Sequence, residues 1–201
     1  MSVNKSIVLN PAAFFSEHQN EGSLKSPSLI VAIAGLFTVL AGGITYAFVP
    51  GFIGVTTAVV QAAGVIVIFL QWGVYAGIFH FLSSFFDGSG DFRQTLALTG
   101  YGFLPKVFSN LVSVISVYFV YSSIQFSSDI QQQAQTLQAL NNNALIIISN
   151  ILSVVFLFWS ATLWVFAIKN ARNISAKHAT IVVSVPVLLN AAWILSQIFL
   201  L

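Results

Sequence analysis

The sequence predicts an all-α membrane protein, a bundle of five transmembrane helices with a short N-terminal interfacial helix. Three observations predict it. Of 201 residues, 57% are hydrophobic and only 6% charged, with a mean hydropathy of +0.91. A soluble domain carries about 25% charged residues, so lipid must be the main solvent here. Five apolar stretches reach the roughly 20 residues that a spanning helix needs. All seven Lys and Arg residues fall on one side of a five-span arrangement, as the positive-inside rule requires.

In chain order, residues 1–26 form a polar N-terminal segment and residues 27–201 the membrane domain. Asn10-Pro11 reads as an N-cap with proline at the first helical position. The helix that follows, AAFFSEHQ, carries Phe14 and Phe15 and then turns polar, which suits the membrane interface. A secretory signal is not expected, because the apolar run starts late, follows Glu17 and Glu21, and is as long as a full span. The spans are expected at Ser28 to Phe48, closed by Pro50-Gly51, then Gly54 to Ser83, Val107 to Phe126, Ala144 to Ile168 and Ala179 to Leu200. The second is long enough to tilt or project beyond the bilayer.

Lys5 and Lys25 precede the first span. Arg93 and Lys106 lie between the second and third, and Lys169, Arg172 and Lys177 between the fourth and fifth. The opposite connections carry no cation. The expected placement is therefore the cell membrane, multi-pass, with a cytoplasmic N-terminus and an external C-terminus. The outer connection SSDIQQQAQTLQALNNN repeats Ile130, Ala134, Leu137 and Leu140 at helical spacing, predicting a short amphipathic helix capped by Ser128 or Asp129. The Asn4-Lys5-Ser6 and Asn173-Ile174-Ser175 triplets lie on the cytoplasmic side and are discounted as glycosylation sites.

Small residues mark close helix contacts in lipid. Gly73-xxx-Gly77 in the second span, with Gly64 further out, and Ala32, Gly35, Gly42 and Gly43 in the first predict that these two spans pack together. The polar side chains within the spans are amides: Gln61, Gln71, Asn110, Asn150, Asn190 and Gln197. All five acids lie outside the apolar cores, which argues against ion-coupled transport through an intramembrane carboxylate. Amides otherwise bond neighbouring helices.

The stretch Phe79 to Lys106 is where charge, glycine, aromatics and proline crowd together. DGSGD, Asp87 to Asp91, is not a calcium loop, since Phe92 replaces the required glycine and Leu98 the last carboxylate. No Gly-Lys-Ser/Thr follows for a phosphate loop, and HExxH and GxSxG are absent. The three histidines show no zinc spacing. With no cysteine there is no thiol chemistry, and a net charge of +2 does not point to nucleic acid. No enzyme, metal or cofactor is expected. His80 should hydrogen-bond a neighbouring helix. Asp87 or Asp91 should face Arg172 or Lys177.

A continuous helix from Phe92 would carry Lys106 deep into lipid. Pro105, with Gly100 and Gly102 before it, predicts a break. The expected result is a short helix over Phe92 to Phe103, capped by Asp91, then a separate span from Val107. Gly100-Tyr101-Gly102 would be a partner-facing hinge. Lys106, Lys169, Arg172 and Lys177 would reach lipid headgroups, each worth about 1 kcal/mol beside an anionic surface.

The order NPAAFF, His80 closing the second span, GSGDFRQTL and TGYGFLP resembles the Yip-one domain family, five-span membrane proteins that interact with Ypt/Rab GTPases. The resemblance covers nearly the whole chain, and its specific part is Phe79 to Pro105. It implies a cytoplasmic N-terminus, an external or lumenal C-terminus and association with other membrane proteins or with itself. Gly100-Tyr101-Gly102 matches the family's Gly-Tyr motif. The long eukaryotic N-terminal region with its Asp-Leu-Tyr-Gly-Pro-like motif is lacking, so Rab binding is not carried over. The short tail is similar to the archaeal and bacterial branch.

The leading expectation is a non-enzymatic protein that organises membrane or recruits partners through its cytoplasmic face. Candidate partner or hinge residues are His80, Asp87, Gly88, Gly90, Asp91, Phe92, Arg93, Gly100, Tyr101, Gly102 and Pro105. The alternatives are a small permease or channel for a neutral solute, using Gln61, Gln71, Asn110 and Asn190, and an accessory subunit of a larger membrane complex. The topology is checked by cysteine labelling. Single cysteines at Ser89 and Ser175 should react with an impermeant maleimide only from the cytoplasm, and one at Asn142 only from outside. Labelling of Ser89 and Asn142 from one side would refute it.

Overall fold

The computed structural model describes residues 6–20, 22–51 and 55–199. Lys5 with its Asn4 triplet, Glu21 and the expected start of the second span at Gly54 lie outside the described residues. The helices are α1 (Pro11–Glu17), α2 (Lys25–Phe48), α3 (Val55–Ser84), α4 (Phe92–Tyr101), α5 (Leu104–Ser122), α6 (Ile130–Ala139), α7 (Ala144–Arg172) and α8 (Ala176–Phe199). A 3-10 turn, Leu140–Asn142, follows α6, and no strand occurs among the described residues.

Local sequence accounts for most of the starts. The Asn10 side chain accepts the Ala13 N–H at 3.1 Å, Asp91 accepts Gln94 N–H at 2.7 Å, and Asp129 accepts Gln132 N–H at 2.9 Å. Each satisfies a donor that the first helical turn leaves free. Asn173 ends α7 in the left-handed region, with φ 52°.

Five helices, α2, α3, α5, α7 and α8, are long and apolar enough to cross a membrane. The third begins and ends earlier than expected, at Leu104 and Ser122. Pro105 sits in its first turn, where a missing N–H costs nothing, so the proline starts the helix instead of preceding it. Its 19 residues span roughly 28 Å, matching a hydrocarbon core of about 30 Å. α3 and α7, with 30 and 29 residues, each run to about 45 Å.

α2 packs on α5 and α3, α5 on α7, α7 on α8, and α8 back on α3, closing a ring. Lys25, Arg93, Lys106, Lys169, Arg172 and Lys177 all lie toward one end of it, where α4 lies against α2, α3 and α7. α1 docks there as well. Phe15 is fully buried with Leu98, Leu163, Ala167 and Ala171, so the N-terminal helix is a packed element of the bundle.

Two packing expectations are corrected. α2 and α3 do pack, but a Cβ added to Gly73 or Gly77 would meet nothing within 4 Å. The close approach is made by Gly35 against Ile68 and by Gly42 and Gly43 against the Gln61 amide, which donates to the Val39 carbonyl at 3.0 Å. At the far end α6 is helical, but only part of its apolar repeat faces inward, with Leu140 buried and Leu137 half-buried. Ile130 is 82% exposed, while Gln133 is buried and donates to the carbonyls of Ser127 at 2.7 Å and Pro50 at 3.1 Å. The Pro50 bond ties α6 to the α2–α3 turn, and the Ser127 bond closes the connection from α5.

α4 ends against two tryptophans. Trp72 donates to the Leu96 carbonyl and Trp164 to the Thr99 carbonyl, both at 2.9 Å. A Cβ on Gly100 would run into Pro27 and the Trp72 ring, and one on Gly102 would overlap the Trp164 indole. Gly102→Ala should therefore cost about 1–3 kcal/mol by overpacking, read as a lowered melting temperature in detergent. Gly73→Ala, with open space, should hold or raise it through better helix propensity. Equal effects would refute this account of α4.

Candidate functional site

Two regions gather the chemistry, a polar platform at the basic end and a cavity inside the ring.

The platform is built around Arg172, the last residue of α7. Its side chain is only 3% exposed. Nε donates to Ser83 Oγ at 2.8 Å, Nη2 to the Gly88 carbonyl at 2.6 Å, and Nη1 to the Gly90 carbonyl. Ser89 N–H returns a bond to the Arg172 carbonyl at 2.9 Å, and Asn173 Nδ2 reaches Ser89 Oγ at 3.2 Å. The turn between α3 and α4 is thus wrapped on the end of α7. Gly90 has φ 103°, and a Cβ there would strike the Ala171 carbonyl, so glycine is required twice over.

This corrects two expectations. Arg172 is buried by the loop and does not face lipid headgroups. The loop does meet a cation, but through its carbonyls: among the described residues no carboxylate bonds Arg172. Asp91 instead caps α4, and Asp87 stands exposed with φ 56°.

The other candidate residues divide by burial. His80 Nδ1 lies 3.0 Å from Thr95 Oγ1 on α4, and its ring meets Phe92 edge-on at 5.5 Å. Phe92 and Arg93 are exposed, as are Lys169 and Lys177. The stem of Arg93 passes over Gly22. Gly100, Gly102 and Pro105 are buried. Tyr101 is half-buried and packs edge-on against Phe14, 5.1 Å between centroids, with Phe15 and His18 beside it. The Gly-Tyr-Gly segment is a break between helices, as expected. It is also clamped from both sides, which corrects its reading as a partner-facing hinge.

The cavity, of about 320 Å³, lies among α3, α5, α7 and α8. Gln71, Asn110, Asn150 and Asn190 line it together with Tyr75, three serines and Lys106. Lys106 corrects a second headgroup expectation: its ammonium turns inward and donates to Gln71 Oε1 at 3.0 Å. Asn110 spends its Nδ2 group on α2, at the Ala34 carbonyl (2.8 Å) and Thr38 Oγ1 (2.9 Å). Asn190 donates to Tyr75 Oη at 2.8 Å, and Ser109 to Ser153 Oγ at 3.0 Å. Gln61 does not take part, being held between α2 and α3.

Toward the basic end the cavity is closed by rings. Trp164 stacks on Tyr75 at 4.8 Å and meets Phe79 and Phe103, each at 5.6 Å. Beyond them the interior is filled by Ile168, Ile174, Val182 and Val183. At the other side Trp193 lines the cavity and is 68% exposed. Sequence reasoning missed Trp164, Tyr75, Thr95, Ser83 and the serines. One signal was readable: tryptophan favours membrane interfaces, whereas Trp72 and Trp164 stand in the interior of long spans.

The sequence matches the Yip1 domain model over residues 5–198. This chain belongs to the Yip1 domain family. An uncharacterized protein of Methanocaldococcus jannaschii is 33% identical over 120 residues, which cover 55% of this chain and 85% of that protein. No solved structure shows a significant match to this chain. The family and the five apolar helices together make it a multi-pass membrane protein.

Arg172→Lys should release the α3–α4 turn of this Yip1-family chain, because an ammonium cannot reach the three acceptors that the guanidinium fork spans. Charge-assisted hydrogen bonds are worth about 1.5–3 kcal/mol each. Faster amide exchange at Ser89, at least about tenfold, is the expected reading. Unchanged protection would show that the turn holds without Arg172.

Proposed function

We propose that this protein is a non-catalytic membrane organiser that binds a partner protein of the same membrane through its basic end, with that end facing the cytoplasm of the cell membrane. The observation that supports it is the construction of that end. α1, the α3–α4 turn, α4 and the α7–α8 turn are locked to one another through Phe15, Arg172, Trp72 and Trp164. A preorganised surface loses little conformational entropy on binding. Outside this locked frame Phe81, Phe85 and Phe92 remain exposed, Phe85 by 70%, beside exposed Asp91, Arg93 and Lys177. Exposed aromatics rimmed by charge are the usual composition of a protein contact.

The cavity favours a second reading, a permease for a small neutral solute. Three of its four expected amides do share one cavity. Two features weigh against it. The ring layer around Trp164 separates the cavity from the basic end, and a cation stands where a neutral solute would bind. The organiser reading is the better supported.

A photo-crosslinking residue at Phe85 or Phe92, expressed in the native membrane, tests it. Discrete protein adducts are expected there, with a second copy of this chain or with another membrane protein, and lipid adducts alone at Leu188 and Leu189. Lipid adducts alone at all four positions would overturn the reading.

A further inference from the structure

The cavity holds a charge that no carboxylate among the described residues pairs with. Lys106 lies in the first turn of α5 and bonds one amide oxygen, Gln71 Oε1. An ammonium has three donors, so two remain for something else. The chain has five acids, and none lies in a membrane-crossing helix: Glu17 is in α1, Asp87, Asp91 and Asp129 are in turns, and Glu21 precedes α2. An unpaired charge in lipid is costly, and such residues pair or mark a ligand path. A long lysine in the first turn of a span could reach the headgroups, yet this one points into the ring.

What surrounds it has the composition of a ligand site. The volume of about 320 Å³ falls within the range for small-molecule pockets. Asn150 and Ser160 also line it, and no hydrogen bond ties either side chain to a described residue. The walls are aromatic, with Trp164, Phe103 and Phe156. Gln71, Asn110, Asn190, Ser109 and Ser153 are held by bonds to other helices, so their positions are set before any ligand arrives. A cation with spare donors, set among amides, serines and flat rings, matches an oxyanion carried on a compact apolar or planar body.

We propose that this cavity binds a small organic oxyanion, a carboxylate or phosphate, whose charge is met by Lys106 and whose body lies against Trp164 and Phe103. The same oxyanion chemistry is offered by a water-soluble acid and by the headgroup of an anionic lipid. Binding is reversible and needs no bond made or broken. It is independent of whether the basic end recruits a partner.

The test uses the full chain in nanodiscs, read by intrinsic tryptophan fluorescence, because Trp164 and Trp193 line the cavity. The soluble probes are benzoate and inorganic phosphate in phosphatidylcholine discs. The lipid probe is a titration of phosphatidylglycerol into the same discs. Wild type should give a saturable change with at least one probe. Lys106→Met should weaken it by about tenfold or more, as loss of a desolvated charge pair does. Lys106→Arg should retain most of it, and Lys169→Met, at an exposed lysine, should leave it unchanged. Lys106→Met orphans no carboxylate, so its fold should persist, and an unchanged melting temperature would confirm that. Saturation by benzoate or phosphate assigns a soluble acid, and saturation by phosphatidylglycerol alone assigns a lipid headgroup. The proposal is overturned if no probe saturates, or if Lys106→Met binds as well as wild type.

Discussion

The position of Trp164 decides most of this architecture. Its indole N–H reaches a carbonyl of α4, its ring face lies on Tyr75 of α3, and its edge fits against the missing side chain of Gly102. One side chain of α7 therefore fixes α3, α4 and the start of α5. Lipid offers no hydrophobic force between helices, so association must come from packing and from hydrogen bonds. A tryptophan with a backbone carbonyl and a glycine to meet supplies both. It also divides the ring into two media. On the basic side the core is filled by Phe79, Ile168, Ile174, Val182 and Val183; on the other side amides and hydroxyls line open space.

That division explains the two kinds of amide in the spans. Gln61 and Asn110 cross to backbone carbonyls of α2, at Val39 and Ala34, and act as fasteners between helices. Such bonds are worth about 0.6 kcal/mol on average in membrane proteins, so their role is more register than stability. Gln71 and Asn190 bond side chains, Lys106 and Tyr75, that also line the cavity. Asn110 belongs to both groups, tied to α2 and still lining the cavity. Nothing in the neighbouring residues tells these amides apart, because the difference lies in which helices stand opposite.

The limits of sequence reading here follow the same boundary between local and tertiary causes. Span number follows from bilayer thickness, and caps at Asn10, Asp91 and Asp129 follow from residues three positions away. All are set within one element and were legible. The gathering of the described cations at one end was legible for a related reason, since it depends only on span count. Arg172 was not. Two of its three partners are carbonyls more than 80 residues earlier, and a carbonyl carries no letter in the sequence. The outer helix was legible in its existence and its Asp129 cap, but not in its whole inner face, where Gln133 bonds the Pro50 carbonyl and Ile130 stays outside.

Lys106 shows why a cation in a span must be read against the whole chain. At the first turn of α5 it stands near the positive end of the helix dipole, where a cation is disfavoured by about 0.3–1 kcal/mol. Turning outward would place it among headgroups, a setting that attracts Lys. It turns inward, to an amide that cannot neutralise it. Neither dipole nor lipid accounts for that choice, and a neutral residue of similar size would satisfy the packing at lower cost. The two remaining donors and the adjoining open volume form one feature, since a charge with no described acid beside it is retained for something that arrives from outside the chain. The same reasoning leaves Lys169 and Lys177 as ordinary surface cations, exposed at the ends of α7 and α8 and free to pair with solvent or headgroups.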